Sequence, residues 1–177
     1  MRTLVVYESM FGNTHAIASA IADGLRSAGE VFVVPVNEAT PEFVAAADLV
    51  VAGGPTHVHG MTRDLTRDMA RSMAAKDENP IDLDPDAAGA GIREWLAILD
   101  RGAGKRAAAF DTRAEGAAFL TGRASLGIAA ELRKHGFKLV VEPESFIVDG
   151  RGHLVAGELE RATAWATHLA SELVPAG

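Results

Sequence analysis

The chain predicts an α/β fold: a three-layer sandwich around a five-stranded parallel sheet in the order 2-1-3-4-5. Three observations carry that expectation. Short apolar, β-rich runs alternate with helical patterns from one end of the chain to the other. Pro35 sits inside the second such run, which places that strand at an edge where no ladder N–H is required. The segment after the first run is built like an anion-binding turn, and sheets of this kind bind ligands at the carboxyl ends of their strands.

The elements follow in order. Residues 3–7 (TLVVY) read as a first strand. Residues 13–28 carry Ile17, Ala20, Ile21 and Leu25 at helical spacing, and Gly29 is placed to end that helix. Residues 31–36 form the second strand, 41–47 a short helical turn behind the cap candidate Thr40, and 48–53 the third strand. A helix is expected over 62–75, followed by an acidic loop over 76–86 and a helix over 92–99. Residues 105–110 form a fourth strand of weak β propensity, rich in Ala. A helix over 125–134 stops at Gly136, and a fifth strand over 137–141 resumes at 145–148 before the turn signal Asp149-Gly150. A last helix spans 158–173. Right-handed crossovers leave few ways to connect such a series. There is no internal repeat, low-complexity segment or linker, so one domain is expected over residues 1–177.

Composition narrows the function. The chain has 177 residues, 48% hydrophobic and 23% charged, ordinary values for a globular protein large enough to bury a core. It has no Cys, which excludes disulfides, thiol catalysis and cysteine-ligated clusters. A net charge of −7 argues against nucleic acid and leaves room for a basic protein partner. The opening MRTLVVYESM has too short an apolar run for a secretory signal, which needs about 7–15 residues. No stretch reaches the roughly 18 apolar residues of a membrane span, and the expected location is the cytoplasm.

With strand order 2-1-3-4-5, the ligand crevice lies between strands one and three. Three loops meet there. The first holds Ser9, Met10, Phe11, Gly12, Asn13 and Thr14 between strand one and helix one. It offers two hydroxyls, an amide and backbone N–H groups at a helix N-terminus, where about half a positive charge resides. Gly12 lets the backbone curl close to a ligand. This combination suits a phosphate monoester held by neutral donors, since the loop has no Lys or Arg. The plain structural reading is an N-cap by Asn13 or Thr14. Other phosphate motifs fail: no Gly-x-Gly-x-x-Gly follows a strand, and Gly104-Lys105-Arg106 lacks the Ser/Thr of a nucleoside-triphosphate loop.

The loop Ser9-Met10-Phe11-Gly12-Asn13-Thr14 resembles the flavodoxin phosphate loop, Ser/Thr-x-Thr-Gly-x-Thr, with Phe11 where a Thr is usual. Tyr7, Ile17-Ala18 and the five-strand alternation extend the resemblance over nearly the whole chain. It implies one bound FMN, an electron-transfer role and a redox partner protein. It also implies that the second loop, with Pro55, Thr56, His57 and Val58, runs along the flavin ring. That loop usually supplies a Trp; here His57 and His59 are the candidates. Read as a metal site, His57-x-His59 shows no third ligand nearby. The third loop, with Asp111, Thr112 and Arg113, would cover the pyrimidine end. It has no Tyr, and Arg113 stands either as a cation near the ring or as a surface residue paired with Asp111 or Glu115. The stripe Arg63, Arg67, Arg71 beside Asp64 and Asp68 reads as a solvated, salt-laced helix face. No general acid or nucleophile is expected. Two other readings stay open: an FMN quinone reductase with a nicotinamide donor, and a flavodoxin-fold interaction module whose flavin site has lapsed.

Overall fold

The computed structural model describes residues 1–57, 60–62, 83–87 and 89–173. Val58, His59, the charged stripe and all but the first residue of the helix expected over 62–75 lie outside the described residues.

The first strand, β1 (Arg2–Tyr7), is apolar on both faces because both faces are covered. It pairs in parallel with β2 (Glu30–Pro35) on one side and β3 (Leu49–His57) on the other. β3 in turn pairs with β5 (Arg106–Ala114). The last position of the sheet is shared by β6 (Lys138–Leu139) and β7 (Glu144–Val148), both parallel to β5. Leaving aside a two-residue strand that pairs antiparallel with β3, the order is therefore the expected 2-1-3-4-5, with a fifth strand broken over residues 140–143 and resumed, as the sequence predicts. Pro35 closes β2 opposite Tyr7 at the sheet edge, where its missing N–H costs nothing.

Two cores sandwich the sheet. On one face Val5, Tyr7, Val51, Ala108 and Phe110 meet Ile17, Ile21 and Leu25 of α1 (Asn13–Leu25) and Ala162, Ala166 and Leu169 of α6 (Glu158–Leu173). On the other, Leu4, Val6, Val50 and Ala109 meet Val44 of α2 (Pro41–Ala46), Trp95 and Leu96 of α3 (Ile92–Ala97), and Ile128 and Leu132 of α5 (Ala124–Lys134). Each fully buried aliphatic side chain contributes roughly 1.5–3 kcal/mol, so these two seams hold the layers together. A short turn, α4 (Ala118–Thr121), lies between β5 and α5.

Two segments expected as loops are strand. β3 runs on to His57 and folds back as β4 (Gly60–Met61), pairing Thr56 with Met61 and His57 with Gly60. β5 runs on to Ala114, far past the expected end at residue 110. The cause is cooperative pairing. Gly54 and Pro55 of β3 register with Asp111 and Thr112, while Phe110 to Ala114 register with Glu144 to Val148, so neighbours on both sides hold β5 extended despite weak local propensity.

Candidate flavin-binding cleft

The loop after β1 ends in a turn that opens α1 toward the switch point. Gly12 is the N-cap with φ +84°, a left-handed conformation that favours glycine, and its N–H donates to Ser9 Oγ at 3.1 Å. The first intrahelical bond is Ala16 N–H to Gly12 O, so the amides of Asn13, Thr14 and His15 have no acceptor within the helix. No side-chain cap is formed at this terminus among the described residues, and its first turn has no acidic residue. The positive end of the helix therefore meets no carboxylate of its own first turn, the nearest described acid being Asp84, whose Oδ2 would lie 3.9 Å from a Cβ on Gly12. The N-cap position belongs to Gly12, so neither Asn13 nor Thr14 caps the helix as the plain structural reading would have it. Asn13 Nδ2 donates to Gly152 O at 2.7 Å, and Thr14 Oγ1 shares a 2.7 Å hydrogen bond with Thr112 Oγ1.

Around this terminus lies a cavity of about 180 Å³. Ser9, Met10, Phe11, Asn13 and Thr14 form one wall, Pro55, Thr56 and His57 a second, and Thr112, Arg113 and Ala114 a third. Val148 and Gly152 close it. Three chain segments that are distant in sequence thus converge at the β1/β3 switch point. Val148 and Gly152 were not foreseen; the Asp149-Gly150 turn signal after the last strand was the available clue, because that turn reaches back over α1.

Asp111 is placed differently from its neighbours. Along β5, Ala107 and Ala109 face the α5 side, and strand alternation puts Asp111 on that same side. It is fully buried, and its Oδ2 accepts the Ser125 N–H at 2.7 Å. Thr56 Oγ1 accepts the neighbouring Ala124 N–H at 2.8 Å. Two adjacent strands so cap α5, which has no side-chain cap of its own. Burial pushes the Asp111 carboxyl up from its ordinary range, and the bonds at Ser125 oppose that rise.

Arg113 lines the cleft without an ion pair to Asp111 or Glu115. Its Nη1 donates to Gly116 O at 2.9 Å, Thr121 Oγ1 at 3.0 Å and Ala114 O at 3.2 Å. All are neutral acceptors that fix the guanidinium, whose charge is felt by the Glu158 carboxylate without a hydrogen bond between them.

Behind the loop, Asp84 N–H donates to Met10 O at 2.9 Å, so the 83–87 segment braces the turn. Tyr7 donates to Asp86 Oδ2 at 2.6 Å and stacks on His15 with ring centroids 4.5 Å apart. Burial, reinforced by Asp86, pushes the Tyr7 hydroxyl far above its ordinary value. His15 Nδ1 stands 3.4 Å from Asp84 Oδ2.

His57 has a buried Nε2 without a hydrogen-bond partner, and burial lowers its pKa from 6.5. The native imidazole therefore resists protonation more than the unfolded one. Its contribution to stability is complete above about pH 6.5 and is lost as pH falls from there toward the lowered native value. The melting temperature of the flavin-free protein is expected to drop between pH 7.5 and 5, and His57→Gln to lessen that drop. Parallel pH profiles for the two proteins would contradict the assignment.

A flavodoxin domain model matches residues 4–76, the segment from β1 through the second wall of the cleft. A curated flavodoxin of Aquifex aeolicus (strain VF5) is 41% identical over 59 residues, 32% of this chain. The match likewise spans only about a third of that relative's length, 32%. The solved flavodoxin of Streptococcus pneumoniae TIGR4 superposes with TM-score 0.66 at 21% identity, covering 98% of this chain and 100% of that one. A WrbA-like flavodoxin protein from Agrobacterium tumefaciens gives TM-score 0.59 at 21% identity, with 96% and 95% covered. At such identities the structural likeness speaks for the fold. Strand order and structural likeness give this chain a flavodoxin-like fold, and residues 4–76 match a flavodoxin domain model. No helix among the described residues is long and apolar enough to cross a membrane.

Proposed function

We propose that the chain binds one FMN in this cleft and transfers electrons to and from a protein partner in the cytoplasm. The observation that carries the reading is the α1 N-terminus, without a side-chain cap among the described residues and free of acid in its first turn, opening into a cavity walled by β3 and β5. A phosphate dianion is the natural counterpart of such a terminus. Ser9, Gly12, Asn13 and Thr14 hold the phosphate through neutral donors. Pro55, Thr56, His57, Thr112 and Arg113 frame the ribityl chain and ring, and Asp111 acts indirectly by anchoring α5. When bound, FMN supplies one- and two-electron transfer, and its fully reduced ring is anionic. The net charge of −7 favours a partner with a basic docking face. The test is the absorption spectrum: the purified protein, or the apoprotein given FMN, takes up one equivalent and shows visible flavin bands. A colourless protein indifferent to added FMN would overturn the reading in favour of a non-redox module.

Arg113 gives the reading a measurable consequence. Its guanidinium is fixed by neutral acceptors, with Glu158 acting on it only through the Coulombic field and not through a hydrogen bond, so its charge favours the anionic, fully reduced ring. At an effective dielectric of about 20, unit charges about 8 Å apart interact by roughly 2 kcal/mol. Exposure and salt reduce this to about 0.5–1 kcal/mol. With about 59 mV per tenfold change in a one-electron couple, Arg113→Gln is expected to lower the second one-electron potential by roughly 20–40 mV, and by more at low ionic strength. A potentiometric titration reads the shift; equal potentials at low salt would mean that the cation does not act on the ring.

A further inference from the structure

A second cavity, of about 460 Å³, lies along the outer edge of β7 and shares Arg113 with the flavin cleft. Its charged lining is three guanidinium groups, Arg113, Arg123 and Arg161, against two carboxylates, Glu144 and Glu158. Both carboxylates are engaged by one of the three. Arg161 bonds Glu144 Oε1 at 3.0 Å and Glu158 Oε2 at 2.6 Å, and lies 4.6 Å above the Phe146 ring. The same carboxylates also accept the edge N–H groups of Ser145, at 2.9 Å, and Ile147, at 2.6 Å. Arg161 and the two acids thus form a closed structural unit that blunts the sheet edge.

Arg113 and Arg123 are left over. Arg123 donates to Ser145 Oγ at 3.0 Å and to Pro143 O, both neutral. Arg113 meets neutral acceptors only, and its Nε is buried without a partner. Asp111 is within Coulombic reach of Arg123, and Glu158 of Arg113, but neither carboxylate hydrogen-bonds the guanidinium it faces. Two fixed guanidinium groups that no carboxylate among the described residues hydrogen-bonds therefore border one open cavity. A guanidinium is costly to keep unpaired there, and its planar fork matches an oxyanion.

We infer that this second cavity is an oxyanion subsite for a small molecule bearing a phosphate group, held between Arg113 and Arg123. Because Arg113 borders both cavities, the phosphate arm would place the rest of its molecule beside the flavin cleft, as a redox co-substrate of the bound FMN. That role rests on the function proposed above; the anion binding itself does not.

Pyrophosphate is the probe, followed by ¹⁵N NMR of the arginine Nε–H signals at low, matched ionic strength. The titration is run on FMN-saturated protein and on FMN-free Thr14→Asp protein, so that the α1 terminus is blocked in both. Saturable shifts at Arg113 and Arg123, absent with sodium chloride at equal ionic strength, are the expected result. Arg123→Gln should raise the dissociation constant about tenfold or more. Arg123 also ties down Pro143, so Ala118→Glu serves as a second variant: it places a carboxylate at the cavity wall, leaves every arginine hydrogen bond in place, and should abolish the shifts with an unchanged melting temperature. Shifts that chloride reproduces, or that survive Ala118→Glu, would overturn the subsite. If the protein fails to take up FMN while the Thr14→Asp protein still shows the shifts, the flavin reading falls and the anion subsite stands.

Discussion

Thr14→Asp is expected to weaken FMN binding at least about a hundredfold while the fold persists. Thr14 is buried in the first turn of α1, with its hydroxyl 2.7 Å from that of Thr112 in the cleft wall. A carboxylate there would face the proposed site of the phosphate dianion. Unit charges about 4 Å apart repel by roughly 4 kcal/mol at an effective dielectric of about 20, and each 1.4 kcal/mol is a factor of ten in affinity. The same carboxylate lies at the positive end of a helix dipole, and Thr112 can turn its hydroxyl to donate to it, so far-ultraviolet dichroism should remain native. Thr14→Val separates charge from hydrogen bonding: losing a single donor to a charged acceptor should cost about tenfold. Calorimetric titration of the three proteins reads both effects. Parent-like affinity in Thr14→Asp would place any flavin elsewhere.

Gly53→Val should lower stability by about 3 kcal/mol or more, near the upper end of what an overpacked core costs. Gly53 lies in the middle of β3, opposite Tyr7 on one side and Phe110 on the other. A Cβ built there would come within 2.2–2.4 Å of three atoms of the Phe110 ring. That ring has no room to retreat: it is fully buried and packs edge-on against Phe146, itself fully buried, at 6.4 Å. For a chain of this size the loss corresponds to a melting temperature lower by roughly 6–12 °C. The double variant Gly53→Val, Phe110→Ala should be more stable than the two separate costs predict when added, because the large side chain then fills the space the ring vacates. A melting temperature within 1–2 °C of the parent would show that the sheet yields at this point.

Most of the architecture was legible in the sequence for a physical reason. Strands such as LVVY and LVVA are apolar on both faces, helices such as 13–25 carry a single buried stripe, and that contrast alone demands helices on both sides of a parallel sheet. Pro35 marked the edge through its missing donor. The loop 9–14 announced itself through Gly12 and the hydroxyls around it, and Ser9, Met10, Phe11, Asn13 and Thr14 line the cavity at the switch point. What the sequence hid were effects of pairing. The lengths of β3 and β5 are set by their neighbours rather than by their own residues, so residues 54–57 and 111–114 read as loops. Had 111–114 been read as strand, the alternation from Ala107 and Ala109 would have turned Asp111 toward α5 and away from the cleft. The arginine-bordered second cavity combines positions 113, 123 and 161, and no spacing rule connects residues that meet only across the edge of a sheet.

The central claim is that α1 receives a phosphate, and the most direct measurement compares FMN with riboflavin by calorimetric titration of the apoprotein. The two ligands share ring and ribityl chain and differ only in the group that would meet the Asn13, Thr14 and His15 amides. FMN should bind with unit stoichiometry and with an affinity at least about a hundred times that of riboflavin, since a dianion meeting several charge-assisted hydrogen bonds is worth about 3 kcal/mol or more. Equal affinities for the two ligands would contradict the account.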